Sequence, residues 1–302
     1  MNTPEMVQDE WARWLLHRRH GGDPEKQKAM LADLYPVRDK VLAHAQVAAG
    51  DVLLDVGAGD GLIAFGAVPL VGDHGRVIFS DISHDLLHHC QALADQLGVR
   101  DRCTFLHASA DDLSALAAAS VDIVTTRSVL IYVAAKQQAL SEFYRVLKPG
   151  GRLSLYEPIN RFAQGGPVIG WPFDVRPIQA VADKIRAVYE RLQPRESDPM
   201  LNFDERDLLT WVEQAGFDEA HLQLRADIAP CQPERWEVAL HRSGNPKIPT
   251  LAEAMQEALT PAEAQQFIAY VRPRIERGEG TWRMATAYLW AVKSHERGEP
   301  SD

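Results

Sequence analysis

Short apolar runs alternate with longer amphipathic stretches through most of the chain. Val52-Leu53-Leu54-Asp55-Val56 and the runs at 76–80, 104–107, 121–125 and 152–156 read as buried strands. Helical spacing fills the gaps, at 24–48, 60–71, 83–97 and 134–147. Asp23-Pro24 supplies an N-cap and a first-turn proline, and Gly98 and Pro149-Gly150-Gly151 supply stops. After 157 the regularity breaks. Gly165-Gly166-Pro167, Gly170, Pro172 and Pro177 mark an insertion with one helix at 179–192. Alternation resumes with a helix at 204–215 and a strand at 220–228, and a mainly helical insertion follows at 232–279. The last run, 283–292, has a helical alternative, but Gly280 before it and its aromatic and β-branched residues favour a strand. The fold class predicted is α/β: a doubly wound, seven-stranded, mostly parallel sheet with helical insertions.

Composition narrows the partners. Lys and Arg number 32 against 42 Asp and Glu, a net charge of −10. Phosphate neutralisation needs clustered cations, so no nucleic-acid partner is expected. The first twenty residues lack the apolar run of a signal peptide, and no stretch approaches the length of a membrane span, so no membrane partner is expected either. Residues 6–16 are amphipathic, with Trp11, Trp14 and Leu15 at helical spacing, and read as a helix docked on the body of the protein, with a membrane-surface helix as the alternative. Cys90, Cys103 and Cys231 are far apart and form no CxxC, which suits a reducing, cytoplasmic setting.

The candidate chemistry begins where the first strand ends. Asp55-Val56-Gly57-Ala58-Gly59-Asp60-Gly61 joins that strand to a helix. Glycines there allow a tight turn and close approach of backbone to a ligand, and the helix start offers unpaired N–H groups. A dinucleotide fold would want its third glycine at Leu62, which counts against a nicotinamide cofactor. The second strand leads into Asp81. A carboxylate at that place can accept bonds from both hydroxyls of a ribose, or it can cap the next helix, a role shared with Ser83.

Taken together, these segments resemble a class I S-adenosylmethionine-dependent methyltransferase of the small-molecule, UbiE-like type. Leu54 to Gly61 resembles the family's first motif, Asp81-Ile82 its second, Val121–Val124 through Arg127-Ser128-Val129-Leu130 its fourth-strand segment, and Arg145–Gly151 its turn into the fifth strand. The resemblance covers about 35–157 and the closing elements after 204. It implies S-adenosyl-L-methionine as cofactor and no metal. Gly57, Ala58 and Gly59 would hold the methionine end, with Asp55 near its ammonium. Asp81 would take the ribose hydroxyls and Ile82 would pack on the adenine. The Arg127 carbonyl and Ser128 would face the amino group or the methyl. Relatives often read Asp-Ala-Glu-Asp-Leu where this chain has Ser109-Ala110-Asp111-Asp112-Leu113. Ser109 thus replaces the usual acid on the adenine amine, and Asp111 is a substitute or merely starts a short helix.

On this reading the chain divides into an N-terminal helical lid (1–48, with Tyr35 and Arg38), the cofactor-binding core (49–157), a substrate-cap insertion (158–203), more core (204–231), a helical insertion (232–279), and the final strand and tail (280–302). The expected reaction is methyl transfer by in-line displacement to an N, O or C nucleophile of a small molecule. Ligands in such sheets lie beyond the carboxyl ends of the strands, which makes Tyr132, Tyr156 and Glu157 the acceptor-side candidates. Glu157 would bind a cationic amine or act as a base; otherwise it caps a helix or pairs with Arg161. Trp171, Phe173, Trp236 and His241 are candidate pocket walls, His241 also a base by residue type, with core packing as the alternative. His84, His88 and His89 share one helix and read as a solvated face, and Cys90 and Cys103 as small buried residues. The competing readings are a protein or peptide methyltransferase, a nicotinamide oxidoreductase, and a non-catalytic cofactor-binding relative. Oligomeric state stays open, with 232–279 a candidate homodimer interface.

Overall fold

The computed structural model describes residues 8–164 and 171–294. Seven strands form one sheet: β1 (Val52–Val56), β2 (Arg76–Asp81), β3 (Cys103–His107), β4 (Val121–Arg127), β5 (Leu147–Pro158), β6 (Glu219–Pro230) and β7 (Thr281–Val292). Their order is β3-β2-β1-β4-β5-β7-β6. The first five are parallel, with Leu53 opposite both Val77 and Ile123, and β7 runs antiparallel to β5. The chain winds one way from β1 to β3 and the other way from β4, so a crevice opens beyond the carboxyl ends of β1 and β4.

The helices are α1 (Glu10–Leu16), α2 (Pro24–His44), α3 (Leu62–Val71), α4 (His84–Gln96), α5 (Lys136–Val146), α6 (Asn160–Gln164), α7 (Gln179–Leu192), α8 (Glu205–Ala215), α9 (Trp236–His241), α10 (Leu251–Ala258) and α11 (Pro261–Arg277). The chain divides into two compact units. One comprises Ala32–Ile159, Phe203–Arg225 and the described residues from Thr286 on; the other comprises the described residues up to Leu31, Asn160–Asn202 and Ala226–Ala285.

The first unit carries the sheet core. Leu53, Val77, Phe79 and Ile123 project from their strands into one cluster with Val41 and Leu42 of α2, Ile63, Ala64 and Ala67 of α3, and Leu87 and Cys90 of α4. Phe79 lies between Phe65 and Phe105, each ring 4.9 Å away. α5 packs on β5 and α8. The second unit has its own core, in which Phe267 and Val271 of α11 meet Ile185 and Val188 of α7, Met255 of α10 and Trp236 of α9. Thr250 and Glu253 open α10 with a capping box, and Thr260 and Glu263 do the same for α11. Gly278 closes α11 in the left-handed conformation.

The predicted alternation is observed, with shifted ends. α2 stops at His44 rather than 48, and α3 starts at Leu62 because Gly61 has φ +83°. β5 starts early, at Leu147, where a bulge between Val121 and Ile123 lets it pair on either side of the Pro149-Gly150-Gly151 turn. The 283–292 run is a strand, paired to β5. α1 is capped by Asp9 and docks within its unit through Trp14, whose indole Nε1 donates to the Ser243 carbonyl at 2.9 Å. Met6 and Val7, Gly165–Gly166–Pro167, Gly170 and the tail after 294 lie outside the described residues. Among the described residues no helix is long and apolar enough to cross a membrane.

Candidate active site

The glycine loop is bound to β2 at several points. The Ala58 N–H donates to the Ser80 carbonyl at 2.9 Å, and the Gly59 N–H donates to Asp81 Oδ2 at 2.9 Å. The Gly61 N–H closes the turn on the Ala58 carbonyl at 2.8 Å. Gly57 is required by both conformation and space. Its φ is +65°, and a Cβ there would stand 2.3 Å from Cγ2 of Val129. Beneath the loop the Cys90 thiol donates to the Gly59 carbonyl at 3.3 Å, and burial pushes that thiol's pKa up.

Asp81 is nearly buried and accepts the Ser83 N–H on Oδ1 at 2.9 Å. The helix-cap role belongs to Ser83 itself, whose Oγ accepts the Leu86 N–H at 3.0 Å. A carboxylate has about four acceptor positions, so anchoring by amides and binding of ribose hydroxyls are compatible. Ile82, the next residue, is a large apolar side chain left 47 % exposed at the strand end. Beside it on the sheet edge, Ala110 is buried and the Ser109 hydroxyl donates to Asp111. A pinned carboxylate, an exposed apolar residue next to it and a turn of left-handed glycines fit an adenosine and the methionine end of S-adenosylmethionine.

Asp55 sits under this surface. It is 2 % exposed, accepts the Thr125 hydroxyl at 2.9 Å and the Ala64 N–H at 3.1 Å, and thereby ties β1 to β4 and to α3. Burial pushes its pKa up to about 7 against those two bonds. With both oxygens engaged inside the core, its first task is to hold the loop; an ammonium would be reached through the loop, not by a projecting carboxylate.

At the end of β4, Arg127 is followed by Ser128, held at φ +56°, a conformation that costs a non-glycine residue about 1 kcal/mol. The Ser128 N–H donates to the Tyr156 carbonyl at 2.8 Å. Glu157 then fixes the next turn. Its carboxylate is fully buried; Oε1 accepts the Val129 and Leu130 N–H groups at 2.9 and 3.0 Å, and Oε2 accepts that of Ile131 at 3.3 Å. Burial pushes its pKa up to about 7, opposed by these three bonds and by Arg127. Of the roles open to Glu157 in the sequence, the geometry matches the cap of a short helical turn (Leu130–Tyr132), not a side chain reaching into a cleft.

The other acceptor-side residues separate. Tyr132 is half-buried in that same turn. Tyr156 packs on the α2 side of the sheet, its ring 4.9 Å from Tyr288, and burial raises its pKa. His241 is an exposed residue of the second unit, 3.9 Å from Glu237. Trp236 is core there, whereas Trp171 and Phe173 line a cavity inside that unit. Tyr35 is exposed with the Arg38 guanidinium stacked on it, and Arg38 runs along Gly66 of α3. The supposed solvated histidine face is altered at one end, where His84 stacks on His107 at 3.7 Å.

Sequence reasoning missed Thr125 and Val129. Thr125 stands opposite Asp55 in the β1–β4 register, and Val129 covers Gly57. Neither follows a local pattern: strand pairing places Thr125, and the turn after β4 places Val129.

Residues 54–155 match the family model of a methyltransferase domain. With the fold and the loop geometry, this makes residues 54–155 similar to a methyltransferase domain. The relatives it matches are varied. The C-methyltransferase UbiE of ubiquinone and menaquinone biosynthesis from Psychromonas ingrahamii is 32% identical over 37% of this chain and 47% of its own. The tRNA 5-carboxymethoxyuridine methyltransferase of Escherichia coli K12 is 26% identical over 55% of this chain and 59% of its own. The chain thus spans about half the length of these curated relatives. Among solved structures, the YcgJ protein of Bacillus subtilis superposes with a TM-score of 0.54 over 86% of this chain and 99% of its own, at 15% identity, a likeness of fold.

Proposed function

We propose that this protein transfers the methyl group of S-adenosylmethionine to an N, O or C nucleophile of a small molecule. The observation that supports it most is Asp81, a buried carboxylate pinned by the Gly59 and Ser83 amides at the end of β2. The bound sulfonium supplies an activated methyl group. What the chain supplies is placement. The 57–61 loop holds the methionine end, Asp81 the ribose, Ile82 one face of the adenine, and Ser109-Ala110-Asp111 its edge. Fixing donor and acceptor in line in a closed site is worth several kcal/mol.

On the acceptor side, Tyr132 remains the candidate contact, and Glu157 acts as a positioning residue behind it. No base is assigned, since an acceptor that is unprotonated at working pH needs none. The net charge of −10 supports a small neutral or cationic acceptor over RNA. Free cysteines at 90, 103 and 231 suit a cytoplasmic setting.

The test has two arms. Calorimetry should show saturable binding of S-adenosylmethionine that weakens by about 100-fold in Asp81→Ala, the loss of two hydrogen bonds to a charged group. Labelled donor is then offered a metabolite extract and, separately, total tRNA. Label in a small molecule supports the reading; label in tRNA alone, or no donor binding, overturns it.

A further inference from the structure

The second unit carries a half-open cavity of about 790 Å³ whose lining comes entirely from that unit. Pockets of about 300–1,000 Å³ hold drug-sized molecules. Its walls are aromatic: Trp171, Phe173, Tyr189 and Trp282. One side is built from three backbone segments in close contact. The Thr281 N–H donates to the Pro172 carbonyl at 2.8 Å, the Cys231 N–H to the Gly280 carbonyl at 3.1 Å, and the Glu234 N–H to the Ile275 carbonyl at 3.1 Å. At Gly280 a Cβ would stand 2.2 Å from the Pro172 carbonyl oxygen. This wall is set by the fold before any ligand arrives.

The charges on the lining decide what the ligand carries. Every carboxylate there faces two cations. Glu234 has Lys26 at 2.7 Å on Oε1 and Arg242 at 3.0 Å on Oε2. Glu190 has Arg186 and Arg195 at 3.8 and 3.9 Å, and Glu279 has Arg274 and Arg277 at 3.5 and 2.7 Å. The lining itself carries Lys26, Arg186, Arg195 and Arg242 against Glu190, Glu234 and Glu279, and Arg186 also pairs with Asp183, so the excess of cations lies at Lys26 and Arg242, two against Glu234 alone. Glu234 is the most enclosed of the three, its side chain 14 % exposed. One carboxylate cannot take the three donors of a lysine and the five of an arginine together. An anionic group entering beside Glu234 would complete both.

We propose that this cavity is a binding site for an amphiphilic anion: a small molecule with a flat apolar body of two or three rings and one carboxylate, sulfonate or phosphate. The rings stack among Trp171, Tyr189 and Trp282, and the anion lies between Lys26 and Arg242. This inference does not depend on methyl transfer.

The test uses two fluorescent probes with the same rings, 8-anilinonaphthalene-1-sulfonate and the uncharged N-phenyl-1-naphthylamine, titrated into the full chain. The sulfonate should bind once per chain and at least tenfold more tightly than the neutral probe, weakening as salt screens the cations. Arg242→Gln, at a half-exposed position, should weaken the sulfonate about fivefold and leave the neutral probe unchanged, and Arg242→Lys should restore it. Trp282→Leu should weaken both probes. Equal affinity for the two probes, an Arg242→Gln protein that binds the sulfonate as before, or displacement of the probe by S-adenosylhomocysteine would overturn the proposal. Near-ultraviolet circular dichroism of each variant, matching the parent, keeps a folding defect from passing as a binding effect.

Discussion

At the scale of single residues, this site is governed by buried carboxylates that serve the backbone. Glu157 keeps its proton to higher pH in the fold than in the unfolded chain, because burial raises its pKa from 4.5 to about 7. The folded state then binds more protons than the unfolded one between those values. Its contribution to stability therefore falls as pH rises from about 4.5 to about 7 and is level above. The size is about 3 kcal/mol for a shift of that extent in a fully buried group. Urea denaturation of the parent and Glu157→Gln across pH 4.5–8 should show the parent's advantage shrinking over that window. A constant difference would mean that Glu157 ionises normally in the fold. Asp55 repeats the pattern with a partner, Thr125, that only the register of β1 and β4 brings to it.

At the scale of elements, the glycine loop is supported from the β4 side. Val129 covers Gly57, and Glu157 holds Val129 through its N–H. Gly57→Ala meets two costs, the left-handed φ and a Cβ overlapping Val129, together about 2 kcal/mol or more. Val129→Ala removes only the overlap. The double variant should be about 1 kcal/mol more stable than the sum of the single changes predicts, as read from thermal unfolding. In the second unit, Phe267 of α11 is fully buried against α7 and the Trp171 ring. Phe267→Ala should cost about 3–5 kcal/mol in the same measurement. That 232–279 is mainly helical was legible in sequence, but the separate helices opened by Thr250 with Glu253 and Thr260 with Glu263 were resolved only in the structure. Which faces they bury was not legible either, because the partners lie some 70–90 residues away at Val181–Val188.

At the scale of the whole molecule, charge and fold separate what the chain can be from what it does. A chain with net charge −10 should bind total tRNA no more tightly than about 10 μM near 150 mM salt, as checked by filter binding. Tighter, salt-steep binding would point to a local basic surface and to the tRNA-modifying relative as the better guide. The fold by itself leaves the substrate open, since one architecture hosts many chemistries. Its second unit, which gathers the N-terminal segment and both insertions, carries a cavity with a charge pattern of its own.

The sequence by itself determined the elements and the order of the α/β alternation. Strand and helix periods, caps and a glycine turn are written in residues that are neighbours along the chain. Gly57 lies in the turn after β1, and Asp81 and Ile82 lie at the end of β2. The tertiary structure decided which polar groups face inward and what they hold. It turned Glu157 from a candidate acceptor ligand into the anchor of the β4 turn, tied Asp55 to Thr125, sent His241 to an exposed face, and set two cations around each carboxylate of the second unit's cavity. The reason is physical: a buried charge must be answered by groups within about 3 Å. Which groups those are depends on strand register and helix packing between segments up to a hundred or more residues apart.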